Sequence, residues 1–276
     1  MNRLTVEKQA MIASCLVEGN SLRATVRMTG TSKNTIARLL RDLGAACSKY
    51  QDKTFRNLKC KRLEADEIWS FIGSKERNTS PERKKDGWGD VWTWIAIDAD
   101  TKLVPCWFIG RRDGSAAYHF IHDLAERLAS RVQLTTDGHK AYLSAVEDAF
   151  GCQIDYAMLI KLYGNTPEGG EVRYSPAMCM GARKAIITGQ PERKYISTSY
   201  AERQNLTMRM SMRRFTRLTN GFSKKLAQHE NAIALYYMHY NFARIHQTLR
   251  VTPAMEAGIS KHVWSLKEIC ELLKSN

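Results

Sequence analysis

The apolar residues of the first part of the chain recur at helical spacing between short turn signals. Val26, Ile36 and Leu39 belong to two such stretches, and Gly30 lies between them. A glycine permits the sharp bend between two packed helices, and Ser32 suits the position before a helix, where its hydroxyl can cap the first turn. The pattern predicts three short helices in residues 4–43, the last two forming a helix-turn-helix within a domain of residues 1–46.

The pattern changes after this domain. Residues 47–62 are polar and basic with little periodicity, which predicts a linker. The segments that follow are rich in aromatic and β-branched residues and predict strands. They are LEADEIWSFIG, VWTWIAIDADTKLVPCWFIG, VQLTTDGHKAY and CQIDYAMLIKLY. The second segment breaks at Asp98-Ala99-Asp100, so we expect a hairpin of two antiparallel strands there.

Helices alternate with the later strands. Residues 115–130 place apolar side chains on one face, with Ser115 as the expected cap, and a long helix is expected from about Thr198. Residues 164–196 are rich in Gly, Pro and charge and predict a loop-rich insertion. The order predicts an α/β domain over residues 63–248, a mixed sheet flanked by helices, followed by a C-terminal tail of residues 249–276.

The charge of the chain points to a polyanionic partner. Its 42 Lys and Arg against 28 Asp and Glu give a formal net charge of +14. The surplus is concentrated: residues 1–65 carry 13 basic and 5 acidic side chains, and residues 183–225 carry 11 and 2. Two basic patches favour nucleic acid over a small-molecule substrate. No apolar run is long enough for a membrane helix, so we expect a cytoplasmic, nucleoid-associated protein.

Each patch offers candidate DNA contacts. On the second helix of the helix-turn-helix the exposed residues would enter a major groove, although a plain helical bundle with a solvated polar face would give the same pattern. The second patch would follow the phosphate backbone, although most charge runs are solvated helix faces. The candidates are Ser32, Lys33, Asn34, Thr35 and Arg38 in the first patch, and Arg209, Arg213 and Arg214 in the second.

Three carboxylates are candidates for catalysis by their positions. Asp66 lies within the first strand, Asp137 ends the fourth, and Glu202 lies one turn into the long helix. Carboxylate oxygens suit Mg²⁺, and two such ions can stabilise the attacking and leaving oxygens of a displacement at phosphorus. Asp137 also suits a simple turn before Gly138, and Glu202 suits a capping box with Ser199. Asp66 is hardest to explain otherwise, because a half-buried carboxylate is costly unless paired.

Four segments together resemble the DDE transposases of the insertion sequence 1 group. They are EADEIWSFIG, LTTDGHKAY, STSYAERQNLTMRMSMRRFTRLTNGFSKK and YNFARIHQTLRVTPAMEAGIS. The resemblance implies a ribonuclease H-like fold in which Asp66, Asp137 and Glu202 bind Mg²⁺ or Mn²⁺. It also implies that Arg209 contacts DNA phosphate near the cut, since seven residues place it on the same helix face as Glu202.

The function expected from this resemblance is cleavage at the ends of an insertion element and strand transfer into target DNA. Double-stranded DNA would be the partner, and work on two ends implies a homo-oligomer. A hydrolysis-only nuclease of the same fold, or a regulator that binds DNA but has no remaining activity, stays open as an alternative. His139, in the turn after Asp137, is expected to be an exposed turn histidine that could touch substrate, and His246 is a more remote candidate neighbour of the site.

Overall fold

The computed structural model of the protein describes residues 4–164, 179–216 and 220–274. Its centre is a mixed sheet of six strands in the order β3-β2-β1-β4-β5-β6. Strands β1, β2 and β3 are antiparallel, β4 is parallel to β1, β5 is parallel to β4, and β6 is antiparallel to β5. The strands are β1 Arg62–Ile72, β2 Gly89–Asp98, β3 Trp107–Gly110, β4 Gln133–Asp137, β5 Asp155–Tyr163 and β6 Cys179–Thr188.

Helices cover both faces of this sheet. The α-helices are α1 Val6–Val17, α2 Leu22–Thr29, α3 Lys33–Thr54, α4 Pro81–Lys85, α5 Gly114–Arg127, α6 Ala141–Phe150, α7 Ser199–Ser211, α8 Leu226–Met238, α9 Pro253–Glu256 and α10 Leu266–Glu271. On one face, the buried Trp94 of β2 contacts the rings of Phe120 in α5 and Tyr142 in α6. On the other, Trp107 of β3 stacks on Tyr237 of α8. The predicted mixed sheet flanked by helices is confirmed, and its strand order is consistent with a ribonuclease H-like fold. None of the described helices is long and apolar enough to cross a membrane.

The N-terminal helices begin where the sequence predicts. Ser21 and Ser32 cap α2 and α3 with their hydroxyls, and Gly30 ends α2 in the left-handed conformation. The predicted linker of residues 47–62 is wrong in its first half, because α3 continues to Thr54. Cys47 is fully buried, and the side chain of Gln51 donates to the carbonyl of Ala234 in α8. Packing against α8 therefore extends a helix whose own periodicity is weak there.

Three further predictions need correction. The loop-rich insertion of residues 164–196 contains β6, which extends the sheet beside β5; residues 165–178 lie outside the described residues. The tail of residues 249–276 forms α9 and α10, and Ile269 of α10 is buried in the same core as the sheet. Helix α5 begins one residue before Ser115, and its cap is Asp113, whose carboxylate accepts from the Ala116 amide.

The crossing of α3 and α8 depends on Gly44. A Cβ built there would lie 2.6 Å from the Cα of Asn231, so α8 would have to move. We expect Gly44→Ala to lower the free energy of unfolding by about 1–3 kcal/mol through overpacking, measured by urea denaturation. Gly114→Ala is the matched control, because a Cβ at Gly114 meets no atom within 4 Å. Equal stability of both variants would contradict the close helix contact.

Candidate active site

The site forms where β1 and β4 run side by side. Ala65 of β1 is opposite Thr136 of β4 in parallel register, so the next residues, Asp66 and Asp137, are neighbours. Carboxylate oxygens of Asp66, Glu67 and Asp137 all lie within 4.8 Å of one another. The Asp137 carboxylate also accepts from the backbone amide of His139, which fixes it at the start of the turn. The structure thus brings two of the three predicted acids together.

Helix α7 is anchored to the same strand by its N-terminus. The buried Glu64 accepts hydrogen bonds from the backbone amides of Tyr200 (2.7 Å) and Ala201 (3.1 Å). Free amides and the helix dipole favour a carboxylate at this end of a helix. At the next position on the same face of β1, Asp66 accepts from the side-chain amide of Asn205 at 2.9 Å. These contacts fix α7 across β1 beside Asp66.

Glu202 lies between these two anchoring points on α7 but outside the close acidic group. Its carboxylate accepts from the Thr198 hydroxyl at 2.6 Å and pairs with Lys161 of β5 at 2.7 Å. The alternative of a capping box with Ser199 is wrong, because Thr198 precedes the helix and no side chain caps it. Glu202 is close enough that its charge contributes to raising the pKa of Asp66.

The electrostatics of the group favour binding of a cation. Burial, with the nearby charge of Asp137, raises the pKa of Asp66 to about 6, although the Glu67 amide hydrogen bond opposes the rise. Burial and the Asp137 charge likewise raise the pKa of Glu67 to about 7. One oxygen of Glu67, Oε1, is buried without a hydrogen-bond partner of good geometry. Oxygen ligands that repel one another and are incompletely paired suit a divalent cation such as Mg²⁺.

Sequence reasoning missed Glu67. Consecutive residues of a strand point to opposite faces, so a second acid beside Asp66 gave no reason to expect both at one site. Glu67 is opposite Trp94 in the register of β1 and β2, and its side chain is only 1% exposed. A buried acid on an aromatic sheet face was the available signal, since such a group needs a partner.

The two histidines that the sequence singled out, His139 and His246, each contact neighbouring side chains. His139 is half-buried rather than exposed, with its ring 5.8 Å from that of Trp94, and burial lowers its pKa. Its Nε2 has no hydrogen-bond partner among the described residues. His246 shares a hydrogen bond with Thr248.

The residues predicted to contact DNA differ in their exposure to solvent and in the hydrogen bonds that they already make. Lys33, Asn34 and Arg38 are accessible on the N-terminal half of α3, whereas the amide and hydroxyl of Thr35 bond to Ser32. In the second patch, Arg213 is exposed and Arg209 is half-buried.

Arg214 is engaged within the protein instead of being presented to DNA. Its guanidinium donates to the Ser223 hydroxyl at 3.0 Å and to the Gln228 carbonyl at 2.9 Å. Burial lowers the pKa of this guanidinium to about 10. The sequence prediction did not anticipate that the chain after residue 220 folds back over this side chain.

Comparison with known proteins bears on the central part of the chain. Residues 88–157 match a family model of the IS240 transposase type, described as a DDE domain. The match supports a DDE transposase. It runs from β2 into β5 and contains Asp137, whereas Asp66 and Glu202 lie outside it. Among solved structures, a piggyBac transposase synaptic complex with hairpin DNA is 13% identical, with a TM-score of 0.42 over 99% of this chain and 71% of that one. No curated protein matches the chain.

Proposed function

We propose that the protein is a DNA transposase of the insertion sequence 1 group, which cleaves element ends and joins them to target DNA. The observation that carries the proposal is the side-by-side placement of Asp66 and Asp137 on neighbouring parallel strands, with Glu202 on a helix anchored across them. The match to a DDE domain supports the same class of enzyme. Double-stranded DNA as substrate, a homo-oligomer and nucleoid association complete the proposal.

Asp66, Asp137 and Glu202 would hold Mg²⁺ or Mn²⁺, and the raised pKa values and unpaired oxygen of the acidic group fit such ions. A pair of ions would supply charge stabilisation for the attacking and leaving oxygens at phosphorus. The contribution of the chain is positioning, which is the main source of catalysis in phosphoryl transfer. Asn205 orients the Asp66 carboxylate, the His139 amide orients Asp137, and Thr198 orients Glu202. For Glu202 to bind metal, its ion pair with Lys161 must loosen.

The test is an assay of purified protein on labelled DNA carrying the ends of its own element. We expect cleavage and joined products with Mg²⁺ or Mn²⁺, and neither with EDTA. Cleavage without joining, under conditions that supply target DNA, would favour the hydrolysis-only nuclease. DNA binding with no metal-dependent cleavage would favour the regulator.

The N-terminal half of α3 is proposed as the surface that binds DNA. Lys33 is exposed there, Arg38 is exposed five residues further on, and Ser32 and Gly30 set the turn before the helix. We expect Lys33→Ala/Arg38→Ala to weaken DNA binding and to reduce the slope of log affinity against log salt by roughly 0.9 for each phosphate that the variant no longer neutralises. Lys53→Ala, an exposed charge at the far end of the same helix, should leave the slope unchanged. An unchanged slope in the double variant would exclude this surface, as measured by fluorescence anisotropy at several salt concentrations.

A further inference from the structure

One arginine reaches the acidic group from the loop that follows β3. Arg112 lies in this loop, before α5, and its guanidinium contacts two of the three clustered acids. Its Nε lies 3.3 Å from Glu67 Oε2, and its Nη2 lies 3.3 Å from Asp137 Oδ2. The same guanidinium lies over the ring of Trp92, 5.1 Å from the centroid. Arg112 therefore bridges the two strands that carry the site.

These contacts are weaker than those of a structural ion pair in the same protein. Arg131 donates to both oxygens of one carboxylate, that of Asp155, at 2.7 and 2.9 Å. Arg112 instead divides its donors between two carboxylates at longer distances, and its side chain is 36% exposed. Its guanidinium also leaves Glu67 Oε1 without a hydrogen-bond partner of good geometry. The pairing is thus incomplete and open to competition by another cation.

The backbone on either side of Arg112 is fixed, so that movement is left to its side chain. The carbonyl of Arg111 accepts from the Trp94 indole at 3.1 Å, and the Asp113 side chain caps α5. Trp92 offers the guanidinium an aromatic face that persists whether or not the carboxylates are available. A side chain held this way can leave the acids without unfolding the loop.

We propose that Arg112 is a displaceable counter-ion, which offsets part of the charge of Glu67 and Asp137 before metal binds and withdraws along Trp92 when a divalent cation takes its place. The inference rests on the proposed function, because it takes Asp66 and Asp137 of the acidic group as metal ligands. Two cations cannot share these carboxylates without repulsion, and a divalent ion makes the stronger charge interaction. In the metal-free protein Arg112 thus reduces the repulsion between the acids, and the affinity for metal is lower because Arg112 must first be displaced.

The test measures Mn²⁺ binding to DNA-free protein by electron paramagnetic resonance, so that it does not depend on activity. We expect Arg112→Gln to bind Mn²⁺ roughly three- to tenfold more tightly than the unaltered protein, because it removes the competing charge. Arg112→Lys keeps the charge and should stay near the unaltered protein. Arg111→Gln removes the same charge from the neighbouring residue, which forms no ion pair with these acids in the part of the chain that the structure describes, and should also stay near it.

The outcomes separate this inference from the proposed function. Equal or weaker Mn²⁺ binding in Arg112→Gln would overturn the counter-ion role, provided that a cooperative thermal unfolding transition shows the variant to be folded. Such a result would mean that Arg112 positions the ligands or is not coupled to them. If Asp66→Asn leaves Mn²⁺ binding unchanged, the metal site itself fails and the proposed function fails with it. Tighter binding in Arg112→Gln that disappears on adding Asp66→Asn would support both.

Discussion

Replacing Asp66 with asparagine is expected to lower the rates of strand cleavage and joining by roughly 10²–10³-fold or more, the size of effect seen when one electrostatic stabiliser of a transition state is removed. The substitution keeps the shape of the side chain and removes its charge. The hydrogen bond with Asn205 can persist, since an amide oxygen also accepts a hydrogen bond. Fold and DNA binding should therefore survive while the metal ligand is removed. Asp137→Asn and Glu202→Gln are expected to behave alike in the same cleavage and joining assay.

The control for this prediction is an acid at the opposite end of the sheet. Asp155 begins β5 and pairs with Arg131, far along the strand direction from the end of β4 where Asp137 lies. Asp155→Asn should keep cleavage and joining near the level of the unaltered protein. A folded Asp66→Asn protein that cuts DNA at the original rate would rule out the proposed triad. An unaltered protein that binds DNA without cutting it would instead favour the DNA-binding regulator.

Much of the sheet could be predicted from sequence because its strands are short runs bounded by clear turn residues. Such turn residues predict the hairpin of β2 and β3 and the strand that ends at Asp137. Acids are conspicuous in a largely buried strand such as β1, but Glu64, Asp66 and Glu67 fall within four residues of it, so the local pattern alone does not single out Asp66. The pairing of β1 with β4 that brings Asp66 to Asp137 did not follow from local pattern, and that these acids share one site was implied only by the family resemblance.

Features set by packing between distant segments could not be predicted. Helix α3 continues past residue 46 because α8 covers Cys47 and Gln51, and no local signal in a basic stretch indicates that packing. Strand β6 is mostly exposed, so its residues show no apolar alternation to mark it. Arg112 looks like any loop arginine until the structure places it between Glu67 and Asp137. The charge pattern identifies both Arg213 and Arg214 as basic residues. Only the tertiary structure shows that Arg214 hydrogen-bonds within the protein, to Ser223, whereas Arg213 is exposed to solvent.

Glu67→Gln is expected to stabilise the metal-free protein, and to do so increasingly as the pH rises. The pKa of Glu67 in the folded protein is raised to about 7, mainly by burial, from an ordinary value of 4.5. Below its pKa in the unfolded chain, such an acid is protonated in both states and does not affect stability. Between that pKa and the higher pKa of the folded protein, the free energy of unfolding falls as the pH rises, because the unfolded chain ionises first. The side chain is 1% exposed, so solvent screens little of the effect. Between about pH 4.5 and above pH 7, the free energy of unfolding of the variant should rise by about 3 kcal/mol relative to that of the unaltered protein.

Urea denaturation in EDTA at about pH 5 and about pH 8 measures this gain as the difference between the two proteins, so that other titrating groups cancel. Glu126→Gln, whose side chain is 73% exposed, is the control and should give the same small difference at both pH values. A Glu67→Gln effect that does not change with pH would mean that the pKa of this carboxyl is not raised in the folded protein, because Arg112 offsets the cost of its burial. If Glu67 contributes to the metal site, Mn²⁺ at the higher pH should stabilise the unaltered protein more than the variant. The ionised group that destabilises the metal-free fold would then be one that the bound cation requires.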